Sequence, residues 1–227
     1  TIAPVRPRVV YIGNPNNPTG VYEDPGAIEA LALSAPETLF VVDEAYMGFL
    51  DVSFTPDTYC ATREKGTTGG VMDSPNVVHL RSLTKDYALA GLRLGYALAT
   101  PEVVRALRAA QPPWSVSAAA QAAGLAAIAD EAHLRAARAE IARARQVVTT
   151  GLGRLGLRVF PSACNFVLVE VANAKATRSA LLRHRCVVRD CTSFGLPGHV
   201  RIGLRTVAEC ERLVEAFGEV IACPARP

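Results

Sequence analysis

Lysine is scarce in this chain: only Lys65, Lys85 and Lys175 stand against twenty-one arginines. No apolar run approaches the roughly 18 residues of a membrane span. No signal-peptide pattern opens the sequence, and a cytoplasmic setting is expected. The six cysteines (Cys60, Cys164, Cys186, Cys191, Cys210 and Cys223) form no CxxC pair and no framework spacing. Reduced thiols of a cytosolic protein are therefore expected rather than a disulfide scaffold. The four histidines are scattered without ligand spacing, and no metal is expected. No basic cluster is interleaved with aromatics, and a net charge of +3 is too mild to argue for nucleic acid. There is no internal repeat and no low-complexity tract.

What remains has a normal globular balance, with 50% hydrophobic and 20% charged residues over a length of 227. A strand is expected over residues 8–13, then an Asn/Pro/Gly-rich loop over 14–20. Asp24 and Pro25 suit the start of a helix over 24–34. The continuous apolar run at 39–42 reads as a strand buried on both faces. Strand, helix and strand with short connections make a βαβ unit. Residues 50–75, polar and rich in Gly and Thr, are expected to be a surface loop. Helices are expected over 101–110, 115–129 and 131–155, the last with one solvated face. After residue 150 the composition shifts towards a smaller α+β unit. Its strands are expected over 165–171, 186–188 and 200–204, and its helices over 175–184 and 207–221. The resulting division is 1–150 and 151–227.

The stretch with most chemistry is residues 82–95. It lies between two apolar runs, 77–80 and 94–99, that read as strands. Lys85 carries hydroxyls at −3 (Ser82) and −1 (Thr84) and an arginine at +8 (Arg93). Desolvation disfavours an ammonium and leaves an amine free to attack an aldehyde. Hydroxyls beside an arginine suit a phosphate. An aldehyde-binding lysine beside a phosphate cradle points to pyridoxal phosphate (PLP), although a lysine that merely snorkels out at a strand end fits the same four residues.

Three ordered segments make the resemblance specific: Asn14-Pro15-Asn16-Asn17-Pro18-Thr19-Gly20, Val41-Val42-Asp43-Glu44-Ala45-Tyr46, and Ser82-Leu83-Thr84-Lys85 with Gly91-Leu92-Arg93-Leu94-Gly95. Together they resemble the class I/II PLP-dependent aminotransferases, within the branch of histidinol-phosphate aminotransferase and threonine-phosphate decarboxylase. The resemblance implies a fold-type-I α/β architecture. Its parts are a mostly parallel large-domain sheet with helices on both faces and a small C-terminal α+β domain. It implies that Lys85 bonds to PLP and moves the proton at the substrate carbon. Asp43 would hold the pyridine nitrogen protonated, while Tyr46 and Asn17 would meet the phenolic oxygen. Ser82, Arg93 and the weaker Thr84 would anchor the phosphate. Arg201, in His199-Val200-Arg201-Ile202-Gly203, would grip a substrate carboxylate by its fork, with Asn165 in the site wall. The family carries a substantial segment before the point matched by residue 1, so the chain is expected to be part of a longer protein, homodimeric when whole.

Two rivals share the pattern. Arg205 is more like the decarboxylase branch. If it shared a strand with Arg201, four residues apart, both side chains would lie on one face and hold a doubly anionic substrate. The other rival is a non-enzymatic sensor, because aminotransferase-like domains also serve as ligand-binding parts of transcription regulators.

Overall fold

The computed structural model describes residues 5–50 and 74–222. The surface loop expected at 50–75 thus falls almost wholly outside the described residues, as do Cys60 and Cys223. The chain forms two compact units. One joins Thr1–Pro15 with Tyr22–Leu134, and the other joins Asn16–Val21 with Arg135–Pro227.

The first unit is built on a four-stranded sheet in the order β1-β2-β3-β4. Its strands are β1 (Val9–Gly13), β2 (Leu39–Asp43), β3 (Val77–Ser82) and β4 (Gly95–Leu98). β1, β2 and β3 run parallel, and β4 returns antiparallel to β3. The crossover from β1 to β2 is helix α1 (Pro25–Leu33). The Asp24 carboxylate accepts from Gly26 N at 2.6 Å and Pro25 fills the first helical position, as the sequence suggested. Ile28 and Ala32 of α1 pack with Phe40, Val42 and Val77 of the sheet. Asn76 closes this unit from outside the helix. Its Nδ2 is shared among the carbonyls of Ala32, Ala35 and Thr38 at 3.0, 3.2 and 2.9 Å, tying the end of α1 to the start of β3. Helices α2 (Pro101–Ala110) and α3 (Ala118–Ile128) follow.

Helix α4 (Glu131–Arg154) leads into the second unit. The expected boundary near residue 150 falls inside this helix, whose residues from 135 onwards belong with the C-terminal unit. There β5 (Phe166–Glu170), β6 (Arg189–Asp190) and β7 (His199–Gly203) form an antiparallel sheet in the order β5-β7-β6. Helices α5 (Ala174–Arg183) and α6 (Val207–Ala222) complete it. Side-chain alternation gives this sheet one apolar face. Val167 and Val169 of β5 and Val200 and Ile202 of β7 join Val148, Leu152, Leu181 and Phe217 of the helices in one core. The opposite face carries Leu168, Arg201 and Arg189 in register.

One strand differs from expectation. Residues 186–188 do not pair, and the ladder begins at Arg189. Cys186 and Val188 are buried and Val187 is exposed, so the alternation is real. The chain there has only just left α5, and its first amides are spent on that helix: Cys186 N donates to Leu181 O at 2.9 Å.

Leu152 is wholly buried in the C-terminal core. Leu152→Ala is expected to cost about 2–5 kcal/mol. Equilibrium urea unfolding of the intact protein measures it, and a loss near zero would mean that this core is loosely packed.

Candidate active site

In open α/β sheets ligands bind beyond the C-terminal ends of the parallel strands. β2 ends on Asp43 and β3 on Ser82. Because these strands are parallel neighbours, with Asp43 opposite Leu80, Asp43 and the turn bearing Lys85 emerge at the same edge. Asp43 Oδ1 accepts from Ala45 N at 3.0 Å, and Oδ2 accepts from the Tyr11 hydroxyl. Partial desolvation, the hydrogen bond to Asp43 and the charge of Asp43 push the Tyr11 phenol up to about 12. Tyr11 therefore stays a donor and Asp43 keeps a fixed acceptor role. Sequence reading missed Tyr11. The available signal was its place on β1, two residues before Gly13, which pairs with Asp43.

Lys85 Nζ lies 5.1 Å from the centroid of the Tyr46 ring, a cation–π distance. Ser82 Oγ and Thr84 Oγ1 are 2.8 Å apart, and Thr84 N donates to Ser82 Oγ at 3.3 Å, so both hydroxyls crowd the turn before Lys85. Arg93 is exposed, and its Nη1 donates to Ala90 O at 2.9 Å. Its backbone is left-handed, with φ 53°, as is that of Ala88, with φ 54°. Non-glycine residues are rarely held there, and such strain collects at functional sites.

Asp86, next to Lys85, lies against Gly48. A Cβ at position 48 would come within 2.4 Å of its Oδ2, so Gly48 makes room for this carboxylate.

The second unit brings together a different set. Arg201 Nη1 donates to Asn17 Oδ1, and its guanidinium carbon lies 5.0 Å from the Phe166 ring centroid. The loop bearing Asn17 is closed by Gly20, whose φ is +74° and whose added Cβ would fall 2.1 Å from Ser162 Oγ. Only glycine fits there. Asn165 stands before β5, and its carbonyl accepts from Leu204 N at 2.7 Å. Arg189 is directly opposite Arg201 across the β6–β7 pair. Their side chains take different partners: Arg189 Nη2 donates to Ser193 Oγ at 2.9 Å, and its guanidinium carbon lies 5.7 Å from the Phe194 ring centroid. Sequence reading gave Arg189 no role, because the pairing comes from the register.

Arg205 is a correction. It does not share a strand with Arg201, since β7 ends at Gly203. Thr206 and Glu209 cap α6 reciprocally, with Thr206 Oγ1 and Glu209 Oε2 at 2.8 Å, and this turns the chain into the helix. Arg205 Nε donates to Glu209 Oε1 at 2.7 Å instead. Burial pushes the Cys164 thiol up to about 12 and raises Cys191 and Cys210, which disfavours the thiolate in these three.

The fold, a mostly parallel sheet with a lysine turn and a carboxylate at its ligand edge, is that of the fold-type-I transferases. The chain belongs to the family described as aminotransferase class I and II, which matches residues 2–217. A histidinol-phosphate aminotransferase of Symbiobacterium thermophilum is 40% identical over 212 residues, covering 92% of this chain and 56% of that protein. The crystal structure of histidinol-phosphate aminotransferase from Sinorhizobium meliloti in complex with pyridoxal-5'-phosphate has a TM-score of 0.85. It is 30% identical, with 99% of this chain and 60% of that one covered. The L-threonine-O-3-phosphate decarboxylase of Porphyromonas gingivalis gives a TM-score of 0.79 at 26% identity, covering 94% and 64%. The chain thus spans little more than half the length of the curated relatives it matches.

Burial raises the Asp86 carboxyl to about 6, against the opposing pull of backbone hydrogen bonds from Asp86 and Tyr87 and the charges of Arg81 and Lys85. A folded-state value above the ordinary aspartate value means that the folded protein binds this proton more tightly. Its contribution to stability is present below about pH 4 and is lost as pH rises through about 6. Asp86→Asn, always neutral, is expected to be more stable than wild type at pH 7 by up to about 3 kcal/mol, with the advantage shrinking towards pH 4. Denaturant titrations at the two pH values check this; an advantage independent of pH would contradict it.

Proposed function

We propose that this chain carries the lysine-bearing part of a PLP-dependent aminotransferase that acts on a phosphorylated amino alcohol, in the manner of histidinol-phosphate aminotransferase. The observation that carries it is the shared edge of β2 and β3, from which Asp43 and the Lys85 turn both emerge. The residues present fit the cofactor. A carboxylate whose two oxygens are held by Tyr11 and Ala45 suits a protonated pyridine nitrogen, and the paired hydroxyls of Ser82 and Thr84 suit a phosphate.

When bound, PLP supplies an aldehyde for amine exchange and a ring that takes up the electron pair left on the substrate carbon. Lys85 would hold the cofactor, and its amine would take the proton from the substrate Cα and return it. Asp43 would keep the ring nitrogen protonated. Tyr46 and Asn17 would meet the phenolic oxygen, and Ser82, Thr84 and Arg93 would hold the phosphate. Arg201 would take a substrate carboxylate by its fork, and Asn165 would stand in the site wall at the start of β5. The whole enzyme would be a homodimer.

The shared-strand condition for a doubly anionic substrate is not met, because β7 ends at Gly203 and Arg205 pairs with Glu209; the decarboxylase remains the second reading, on the resemblance at Arg205. The experiment is to offer the intact protein L-histidinol phosphate with a 2-oxo acid, and separately L-threonine phosphate. Amino transfer from the first is expected; carbon dioxide from the second without transfer from the first would reverse the assignment.

Asp43→Asn is expected to lower kcat by orders of magnitude while the melting temperature stays within a few degrees, since a neutral amide cannot hold the ring proton. A near-normal rate at saturating PLP would reduce Asp43 to a structural role.

A further inference from the structure

The C-terminal unit contains a second concave feature, unrelated to the residues assigned above to cofactor or substrate oxyanion. A cavity of about 270 Å³ between the end of α5, the end of β7 and the first turns of α6 is lined by Arg185, Arg205 and Arg212. Cys186, Cys210 and Glu209 also line it. Three exposed arginines therefore line one recess with a single carboxylate, and that carboxylate is already engaged. Glu209 takes Arg205 at 2.7 Å and closes the α6 cap with Thr206. Among the described residues, Arg185 and Arg212 make no ion pair and no side-chain hydrogen bond. A recess lined by unneutralised positive charge focuses its field and raises the local concentration of anions.

The backbone gives a second, independent observation. α5 ends in a Schellman motif: Cys186 N donates to Leu181 O at 2.9 Å, and Arg185 N donates to Leu182 O at 3.0 Å. The residue between these bonds must be left-handed, and glycine is the usual occupant. Here it is Arg185, with φ 60°. The chain accepts a left-handed backbone at Arg185, which lines the cavity together with Cys186 and Val187. An observed outlier of this kind is a pointer to function.

We propose that this cavity is a binding site for a small phosphate-bearing anion. Arg185 and Arg212 supply the free forks, and Arg205 is held ready by Glu209. Planar forks with several donors match phosphate oxygens, and the volume suits a diphosphate-sized group rather than a nucleic acid or a peptide. The site does not depend on the aminotransferase reading.

The test uses calorimetric titration of the intact, PLP-loaded protein with inorganic pyrophosphate, comparing wild type with Arg185→Gly and Arg212→Ala. Arg185→Gly relieves the left-handed strain and is expected to melt at or above the wild-type temperature, so lost binding in it cannot be a folding defect. Each substitution is expected to weaken one saturable binding event by about tenfold or more. Pyrophosphate held elsewhere, by the cofactor or substrate groups, would be unaffected by either change. Binding of equal strength in wild type and Arg185→Gly, or no binding by wild type, would overturn the proposal.

Discussion

One buried carboxylate ties together the strand ends that matter. Glu44 follows Asp43 at the end of β2. It accepts from Arg81 Nε at 2.5 Å and faces His79 Nδ1 at 3.1 Å, both on β3. Glu44 and His79 are almost fully buried. Removing one partner from such a group leaves an uncompensated buried charge, which costs about 3–5 kcal/mol. The pairing thus fixes the register of β2 on β3 just where each hands the chain to a proposed site residue: Asp43 before Glu44, and Ser82 after Arg81. Parallel pairing sets which edge these residues reach, and the ion cluster holds them there.

Behind that cluster the architecture follows from simple rules. Continuous apolar strands demand cover on both faces, and α1 supplies part of it with Ile28 and Ala32. The antiparallel return of β4 opposite β3 places Gly95 against Ser82 and brings the chain back alongside the lysine turn. In the C-terminal unit a single alternating sheet separates two tasks. Val167, Val169, Val200 and Ile202 make the core, while Arg201 and Arg189 occupy the other face.

Much of this was legible in the sequence, for identifiable reasons. Helix boundaries at 24–34, 101–110 and 131–155 were marked by Asp24-Pro25, by Pro101 with Pro112-Pro113, and by charge at helical spacing. The strands at 39–43 and 77–82 were marked by the runs at 39–42 and 77–80, the second with His79 inside it. What was not legible depends on register or on competition between local partners. The contact of Tyr11 with Asp43, and Arg189 opposite Arg201, arise only when strands pair. Arg205 does not share a strand with Arg201 because Thr206 and Glu209 form a capping box that ends the strand first, a T-x-x-E signal present in the sequence. Asn76, whose single amide reaches three carbonyls, reads in sequence as an ordinary turn residue.

The central claim is that Lys85, and neither of the other two lysines, is the residue that bonds to the cofactor. Borohydride reduction of the PLP-loaded intact protein followed by peptide mapping tests it most directly. The account predicts a pyridoxyl group on Lys85 and loss of that label in Lys85→Ala. Stoichiometric label on Lys65 or Lys175, or label that survives in Lys85→Ala, would contradict it.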